Sequence, residues 1–225
     1  MKNIGMIVAV EIDSVLSRYG SPLKKEIRCG FPVLTYAMGE NQLIAVHTGC
    51  GEIAAAAATA LLIDRYGVEL IVNFGVVGGL TEEMAETRSC VVEKIVHYDF
   101  DITHMDGTLP GQYEEYDSPF IPTTPALIER AEELYPELKR VVCASADKFV
   151  DGAEKKAELH RLFGADICEM EAAGIALTCN RAKVPFLMIK TVSDGIHGGA
   201  EEFHRELQRT SALCLELTDR IIREI

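Results

Sequence analysis

Residues 168–194 read CEMEAAGIALTCNRAKVPFLMIKTVSD. A short strand leads to Met170, an alanine-rich helix is expected over Glu171–Ala182, and Pro185–Val192, apolar but for Lys190 and Thr191, has the length of a buried strand. A strand that is apolar on both faces needs cover on both faces, and that points to a parallel sheet inside an α/β fold. Acids sit at both junctions of this unit. Glu169 and Glu171 flank Met170 where strand passes to helix, and Ser193-Asp194 closes the second strand.

The same alternation extends outward. Ile4–Val10 is expected as a buried strand, Pro32–Met38 and Leu43–His47 as a hairpin, and Glu52–Arg65 as an alanine-rich helix. Glu69–Phe74 is a strand followed by the glycine-rich loop Gly75-Val76-Val77-Gly78-Gly79, and Cys90–Val96 is another strand. Residues 99–123 are rich in Gly, Pro and Asp and form a long irregular segment, the kind that often carries function. Pro125–Leu134 is a helix with proline in its first turn, Val141–Ser145 a strand, Ala153–Phe163 a helix and Glu201–Ile225 a long closing helix. This order predicts an α/β sandwich with a largely parallel sheet covered on both faces. With no repeat or linker in sight, residues 1–225 are expected to form a single domain.

Bulk properties narrow the function classes. The chain has 225 residues, 48% hydrophobic and 25% charged, which suits a globular protein with a sizeable core. Its formal net charge of -13 repels phosphate backbones and anionic lipid, so neither nucleic acid nor membrane is an expected partner. Seven cysteines without a CxxC pair argue against a disulfide framework or a thiolate zinc site and for reduced thiols in the cytoplasm. Glu11 and Asp13 interrupt the first apolar run too early for a secretory signal, and no stretch is long and apolar enough to span a membrane.

Ligands in open α/β sheets gather beyond the carboxyl ends of strands. Four such ends carry chemistry. Glu11 and Asp13 follow the first strand and either handle water or begin a helix as favourable first-turn acids. The 75–79 glycines let backbone approach a ligand or simply make a tight turn, and they match neither a Walker loop nor GxGxxG. Glu169-Met170-Glu171 offers carboxylates and an apolar face suited to a sugar, or a helix start. Asp194 is either a partly buried general acid or part of an Asp-Gly turn.

Taken in order, IGMIVAVEID, TGCGEIAAAAATALLI, VNFGVVGGL, YDFDIT, SADKFV, CEMEAAGIALTCN and VPFLMIKTVSD resemble the 5'-methylthioadenosine/S-adenosylhomocysteine nucleosidases of the nucleoside phosphorylase superfamily. The resemblance covers most of the chain. It implies a three-layer αβα sandwich with a mixed, largely parallel sheet, a homodimer, and an adenine nucleoside as substrate, with no cofactor and no metal. It also implies roles: Asp194 as the acid that protonates purine N7, Ser193 holding it, Glu171 on the ribose hydroxyls, and Asp13 activating water. Met170 would pack on the ribose, Phe149 stack on the base, and the Val150 backbone bond the base edge. Val10, Cys50, Val76, Ile102, Met105, Glu169 and Phe203 complete the implied binding set, Phe203 as lid.

The match departs from the family around the water. Asp13 replaces a glutamate, Lys190 stands where an arginine is usual, and Val76 stands where a serine is usual. Lysine offers a point charge in place of a planar fork. Glu11 is the alternative base. On the 5' side, Met105 replaces an aromatic and the 107–111 loop is short. Two other functions fit the same resemblance: a phosphorolytic transferase and a nucleoside-binding protein without catalysis. Asn73 and Val76 occupy positions where phosphorylases bind phosphate, and valine offers phosphate nothing, so hydrolysis is the expectation.

Overall fold

The structure, a computed structural model, describes residues 2–85 and 87–225. In chain order its elements are β1 Asn3–Val8, α1 Ile12–Tyr19, β2 Lys24–Arg28, β3 Phe31–Met38, β4 Asn41–His47, α2 Glu52–Tyr66, β5 Leu70–Gly79, β6 Ser89–His97, α3 Thr103–Asp106, β7 Phe120–Pro122, α4 Pro125–Leu134, β8 Lys139–Ser145, α5 Ala153–Phe163, β9 Ile167–Glu169, α6 Ala172–Ala182, β10 Phe186–Asp194 and α7 Ala200–Arg223.

The strands form one mixed sheet in the order β10-β6-β8-β9-β5-β1-β4-β3-β2, with β7 on β6. Its centre is parallel: β1 with β4 and β5, β5 with β10, β6 with β8, and β8 with β9. Antiparallel pairs lie both at the β2-β3-β4 edge and where β10 meets β6 and β9 meets β5. Because β10 pairs with both β5 and β6, the strands β5, β10, β6, β8 and β9 close into a ring.

Helices cover both faces. On one, Ala55, Ala58 and Leu62 of α2 and Ala172, Ala173, Ile175 and Ala176 of α6 pack with Ile7, Ile71 and Phe186. Alanine on both helices lets α2 and α6 approach closely. On the other, Val15 of α1, Ile128 and Ala131 of α4, and Cys214, Leu215, Ile221 and Ile222 of α7 pack on Met6, Val72 and Phe74. The α7 residues recur at helical spacing, so one stripe of a long helix is buried while its arginines and glutamates face water. Each fully buried large side chain, such as Phe74, Phe186 or Leu43, contributes about 1.5–3 kcal/mol by leaving water. Among the described residues no helix is long and apolar enough to cross a membrane.

Three expectations need correcting. The first strand ends at Val8 rather than Val10, and α1 follows at once. The glycine run at 75–79 is the last half of strand β5 rather than a loop. Its glycines serve close approach: a Cβ on Gly79 would stand 2.0 Å from the Met84 carbonyl oxygen. The short strand β2 is largely exposed and carries little pattern, whereas α1, with Ile12, Val15, Leu16 and Tyr19 at helical spacing, carries one although it was not among the expected elements.

Gly79→Ala is therefore expected to destabilise the fold by about 1–3 kcal/mol, the usual cost of overpacking, because backbone rather than a flexible side chain must move. A lower urea midpoint with an unchanged slope checks this.

Candidate active site

Val10 and Glu11 beyond β1, Val76–Gly78 on β5, Glu169 closing β9 and Asp194 closing β10 meet at one end of the sheet. They wall a cleft of about 560 Å³, partly open to solvent, together with Cys50, Phe149, Val150, Met170, Glu171 and Phe203. Of the residues expected at a site, Val10, Cys50, Val76, Phe149, Val150, Glu169, Met170, Glu171, Asp194 and Phe203 thus line one cavity. Ser193 lies behind it and donates to Asp194 Oδ1 at 2.8 Å. Phe149 and Phe203 meet edge to face, 5.6 Å between ring centres.

Asp13 is not part of this cleft. It sits in the first turn of α1 and faces solvent. The expectation assumed a strand running further than it does. Once the chain turns helical at Ile12, helical rather than strand geometry sets the direction of each side chain, and Glu11, at the helix start, is the acid left pointing inward. Glu11 is 4% exposed, and its carboxylate accepts the Val76 N–H at 3.0 Å and the Val10 N–H at 3.0 Å. Room for it comes from Gly75, where a Cβ would lie 2.8 Å from Glu11 Oε1. Burial pushes the Glu11 carboxyl above its ordinary value, against the pull of these N–H groups and Lys190.

Ile102 and Met105 are likewise absent from the cleft of their own chain. They lie on and beside α3, with Met105 85% exposed. Asn73 is buried in β5 and donates to the Ile7 carbonyl at 3.1 Å, tying two strands rather than facing a ligand.

Glu169 is the hub of the acidic wall. Its Oε2 accepts from Lys190 Nζ at 3.2 Å, from the Glu171 N–H at 3.1 Å and from the Ala172 N–H at 3.0 Å. It therefore caps α6 as well as pairing the lysine. Glu171 accepts the Gly51 N–H at 2.9 Å from the start of α2. Burial, then repulsion from Glu169, pushes the Glu171 carboxyl up to about 8, with Lys190 and Gly51 pulling the other way. Lys190 is 2% exposed. Burial alone would discharge it, but Glu169, Glu171 and Glu11 hold it cationic.

Asp194 has a partner that the sequence did not disclose. Lys156, fully buried, donates to Asp194 Oδ2 at 2.6 Å and to the carbonyls of Gly195 and Gly198 at 2.7 and 3.1 Å. Burial raises the Asp194 carboxyl while Lys156 and Ser193 lower it. A signal for Lys156 did exist: it shares the inward stripe of α5 with Leu159 and Phe163, where a lysine must find a counter-charge. Among the described residues no group of three or more His, Cys, Asp or Glu is arranged to hold a metal ion.

Residues 7–224 match the family model of the phosphorylase superfamily. A 5'-methylthioadenosine/S-adenosylhomocysteine nucleosidase of Tolumonas auensis is 30% identical over 199 residues, 85% of each chain. The chain belongs to this nucleosidase family within the phosphorylase superfamily. An aminodeoxyfutalosine nucleosidase of Campylobacter jejuni is 30% identical over 161 residues, 68% of each chain. Among solved structures, the futalosine hydrolase of Helicobacter pylori aligns with a TM-score of 0.93 at 25% identity, over 100% of this chain and 98% of that one. A nucleosidase of the same organism, bound to a pyrrolidine inhibitor, aligns equally well at 25% identity over 100% and 99%. These relatives are named for different 5'-substituents and share hydrolysis of a nucleoside.

Lys156→Met is expected to cost about 3–5 kcal/mol at neutral pH, the usual result of stripping the partner from a buried charge. The Asp194 carboxyl, freed of its counter-charge, would sit still further above its ordinary 3.8. A raised acid loses stability as pH climbs from its unfolded to its folded pKa. The deficit should therefore be smallest near pH 5 and grow toward pH 8, and adding Asp194→Asn should recover part of it. Urea unfolding of the three proteins across that range is the check.

Proposed function

We propose that this protein hydrolyses the N9-glycosidic bond of 5'-substituted adenine nucleosides, 5'-methylthioadenosine and S-adenosylhomocysteine, releasing adenine and the 5-substituted ribose. The observation that carries the reading is the charge of the cleft. Its described walls hold four carboxylates, Glu11, Glu169, Glu171 and Asp194, and one ammonium, Lys148, which is paired with Asp99 at 2.8 Å. Such a lining offers phosphate no unpaired cation, and its acids suit a reaction in which positive charge grows on the substrate. Cleavage of an N-glycosidic bond is such a reaction, because the ribose becomes oxocarbenium-like as electrons pass into the purine.

In this reading Asp194 delivers a proton to purine N7, so that adenine leaves neutral, and Ser193 and Lys156 orient it. Glu171 holds the ribose hydroxyls and opposes the developing cation. Met170 packs on the sugar, Phe149 stacks on the base beneath Phe203, and the Val150 backbone bonds the base edge. Glu11, not Asp13, draws the proton from the attacking water. Its carboxyl is pushed upward by burial, which brings a general base nearer the working pH. The single domain forms a homodimer, in which Ile102 and the exposed Met105 cover the 5' side of the second copy's cleft.

Adenine release should proceed without added phosphate, and strict dependence on phosphate would return the chain to the phosphorylases. Glu11→Gln is expected to lower kcat about 100- to 10000-fold and Asp13→Asn to leave it within about twofold. The reverse pattern names the wrong carboxylate. Asp194→Asn should fall as far as Glu11→Gln while still binding nucleoside, measured as adenine release alongside equilibrium binding. The same assay run on 5'-methylthioadenosine, S-adenosylhomocysteine and aminodeoxyfutalosine ranks the 5'-substituents, since each yields adenine.

A further inference from the structure

Behind the cleft, the Ser145 hydroxyl lies between two buried carboxyl groups. It contacts Glu52 Oε1 and lies 2.5 Å from Glu169 Oε1, and it accepts the Ala173 N–H at 3.2 Å. A hydroxyl has one proton to donate and two lone pairs to offer. It cannot donate to both carboxyls. One of them must instead donate to it.

The partners decide which. Glu169 receives only donors: the N–H groups of Glu171 and Ala172 and the Lys190 ammonium. It is therefore the ionised member. Among the described residues, Glu52 has a backbone donor, the Gly174 N–H, on Oε2 and no ammonium or guanidinium bonded to either oxygen. Its Oε1 meets only the serine. With a proton on that oxygen every valence closes: Gly174 N–H to Glu52 Oε2, Glu52 Oε1–H to Ser145 Oγ, Ser145 Oγ–H to Glu169, and Ala173 N–H to the remaining lone pair of Oγ.

We propose that Glu52 is a positioning residue that works as a neutral carboxylic acid, and that its proton, relayed through Ser145, fixes Glu169 as the anion which caps α6, aligns Glu171 and pairs Lys190. The catalytic consequence rests on the hydrolase reading above, whereas the protonation itself does not. Other titratable groups around Glu52 push the same way. Asp147 accepts the Glu52 N–H at 2.7 Å and Glu169 stands across Ser145, while Tyr98 and Tyr113, from the β6 end and the following loop, are themselves pushed upward by burial and then by Glu52 and stay neutral. Burial first and Glu169 second raise the Glu52 carboxyl to about 7. Ionising Glu52 would turn the serine proton toward it and set two anions against each other. Glu169 would lose its fixed place, and with it the alignment of Glu171.

Glutamine tests this, because its amide reproduces the protonated pattern: the carbonyl accepts from Gly174 and the NH₂ donates to Ser145. Infrared difference spectra of wild type and Glu52→Gln near pH 6 should show one protonated-carboxyl C=O band lost from the variant. Loss of a carboxylate band alone would overturn the proposal. Melting supplies a second readout. A carboxyl raised from 4.5 to about 7 on folding costs the wild type stability as pH rises through that window, and glutamine has no such slope. The melting temperature of Glu52→Gln relative to wild type should climb by about 5 °C from pH 5 to pH 8, and a constant difference contradicts the proposal. In adenine release, the kcat/KM ratio of variant to wild type should rise about tenfold from pH 6 to pH 8, the ionised share of one group with that pKa, and a flat ratio removes Glu52 from the alignment of the site. If neither protein releases adenine, the hydrolase reading fails while the infrared and melting comparisons still decide where the proton sits.

Discussion

One ammonium holds the acidic floor of the cleft together. Lys190 is buried at the centre of a group in which Glu169 is bonded to it and Glu171 and Glu11 lie within its field. Isolated carboxylates in such a place would each cost several kcal/mol of lost hydration. They would protonate rather than stay charged. The lysine makes anionic Glu169 tolerable, anionic Glu169 caps α6, and the capped helix presents Glu171 to the cleft. A guanidinium here could bridge two carboxylates at once. A lysine concentrates its charge on one, which leaves the remaining acids to be neutralised by protons or backbone N–H groups. The upward shifts of Glu11 and Glu171 come first from burial, and Lys190 offsets only part of it.

The sheet makes the convergence possible. Because β10 is bonded to both β5 and β6, and β9 bridges β8 and β5, the functional strand ends are drawn around a ring instead of spreading along a flat edge. Asp194 thereby lies opposite Gly78 on β5. The glycines of β5 are the cost of this closeness: side chains at 75 and 79 would collide with Glu11 and with the Met84 backbone. A run that looks like a loop in sequence is thus a strand from which side chains have been removed where other groups must enter.

Much of this was legible in the sequence, and the failures have physical causes. Ala153–Phe163 and Pro125–Leu134 stand where they were expected, since proline opens one helix and left-handed Gly164 closes the other. The largely parallel sheet followed from the alternation of strands and helices, and its mixed character came only with the family resemblance. Glu169, Met170, Glu171 and Asp194 each had an ordinary structural reading as well, a helix start or an Asp-Gly turn, and it was their order along the chain, through the family resemblance, that made them legible. Asp13, put at the water by the family resemblance, lies outside the cleft because β1 ends at Val8, two residues sooner than expected, and the chain is helical from Ile12. Lys156 and Glu52 were missed because charge was taken as a mark of the surface. Each sits on the inward stripe of its helix, Lys156 with Leu159, and Glu52 with Ala55, Thr59 and Leu62. A charged residue in phase with buried ones signals a fixed partner inside.

The two buried lysines also explain how the cleft can hold its acids in different states. Asp194 is bonded by Lys156, whose three protons are all committed, to Asp194 and to the Gly195 and Gly198 carbonyls. In the proposed reaction that ammonium cannot readily pass a proton to the base without leaving a carbonyl unpaired, so the proton meant for N7 would reside on Asp194 itself. Ser193 and Lys156 oppose its protonation in the empty site, and burial promotes it. A bound purine tips this balance by excluding water from the cleft, which strengthens the burial effect on a carboxylate. The base in turn grows more basic as the glycosidic bond stretches and electrons enter the ring. In the proposed reaction, proton delivery from Asp194 and cleavage of the glycosidic bond would then be coupled. At the opposite wall Glu11 has no lysine bonded to it and relies on two backbone N–H groups. Those donors cannot give up protons, so a proton taken from water stays on Glu11 and is not shared around the network. In the proposed reaction the acid is thus held by a fixed ammonium and the base by backbone dipoles, and neither set of donors takes up or gives away the transferred proton.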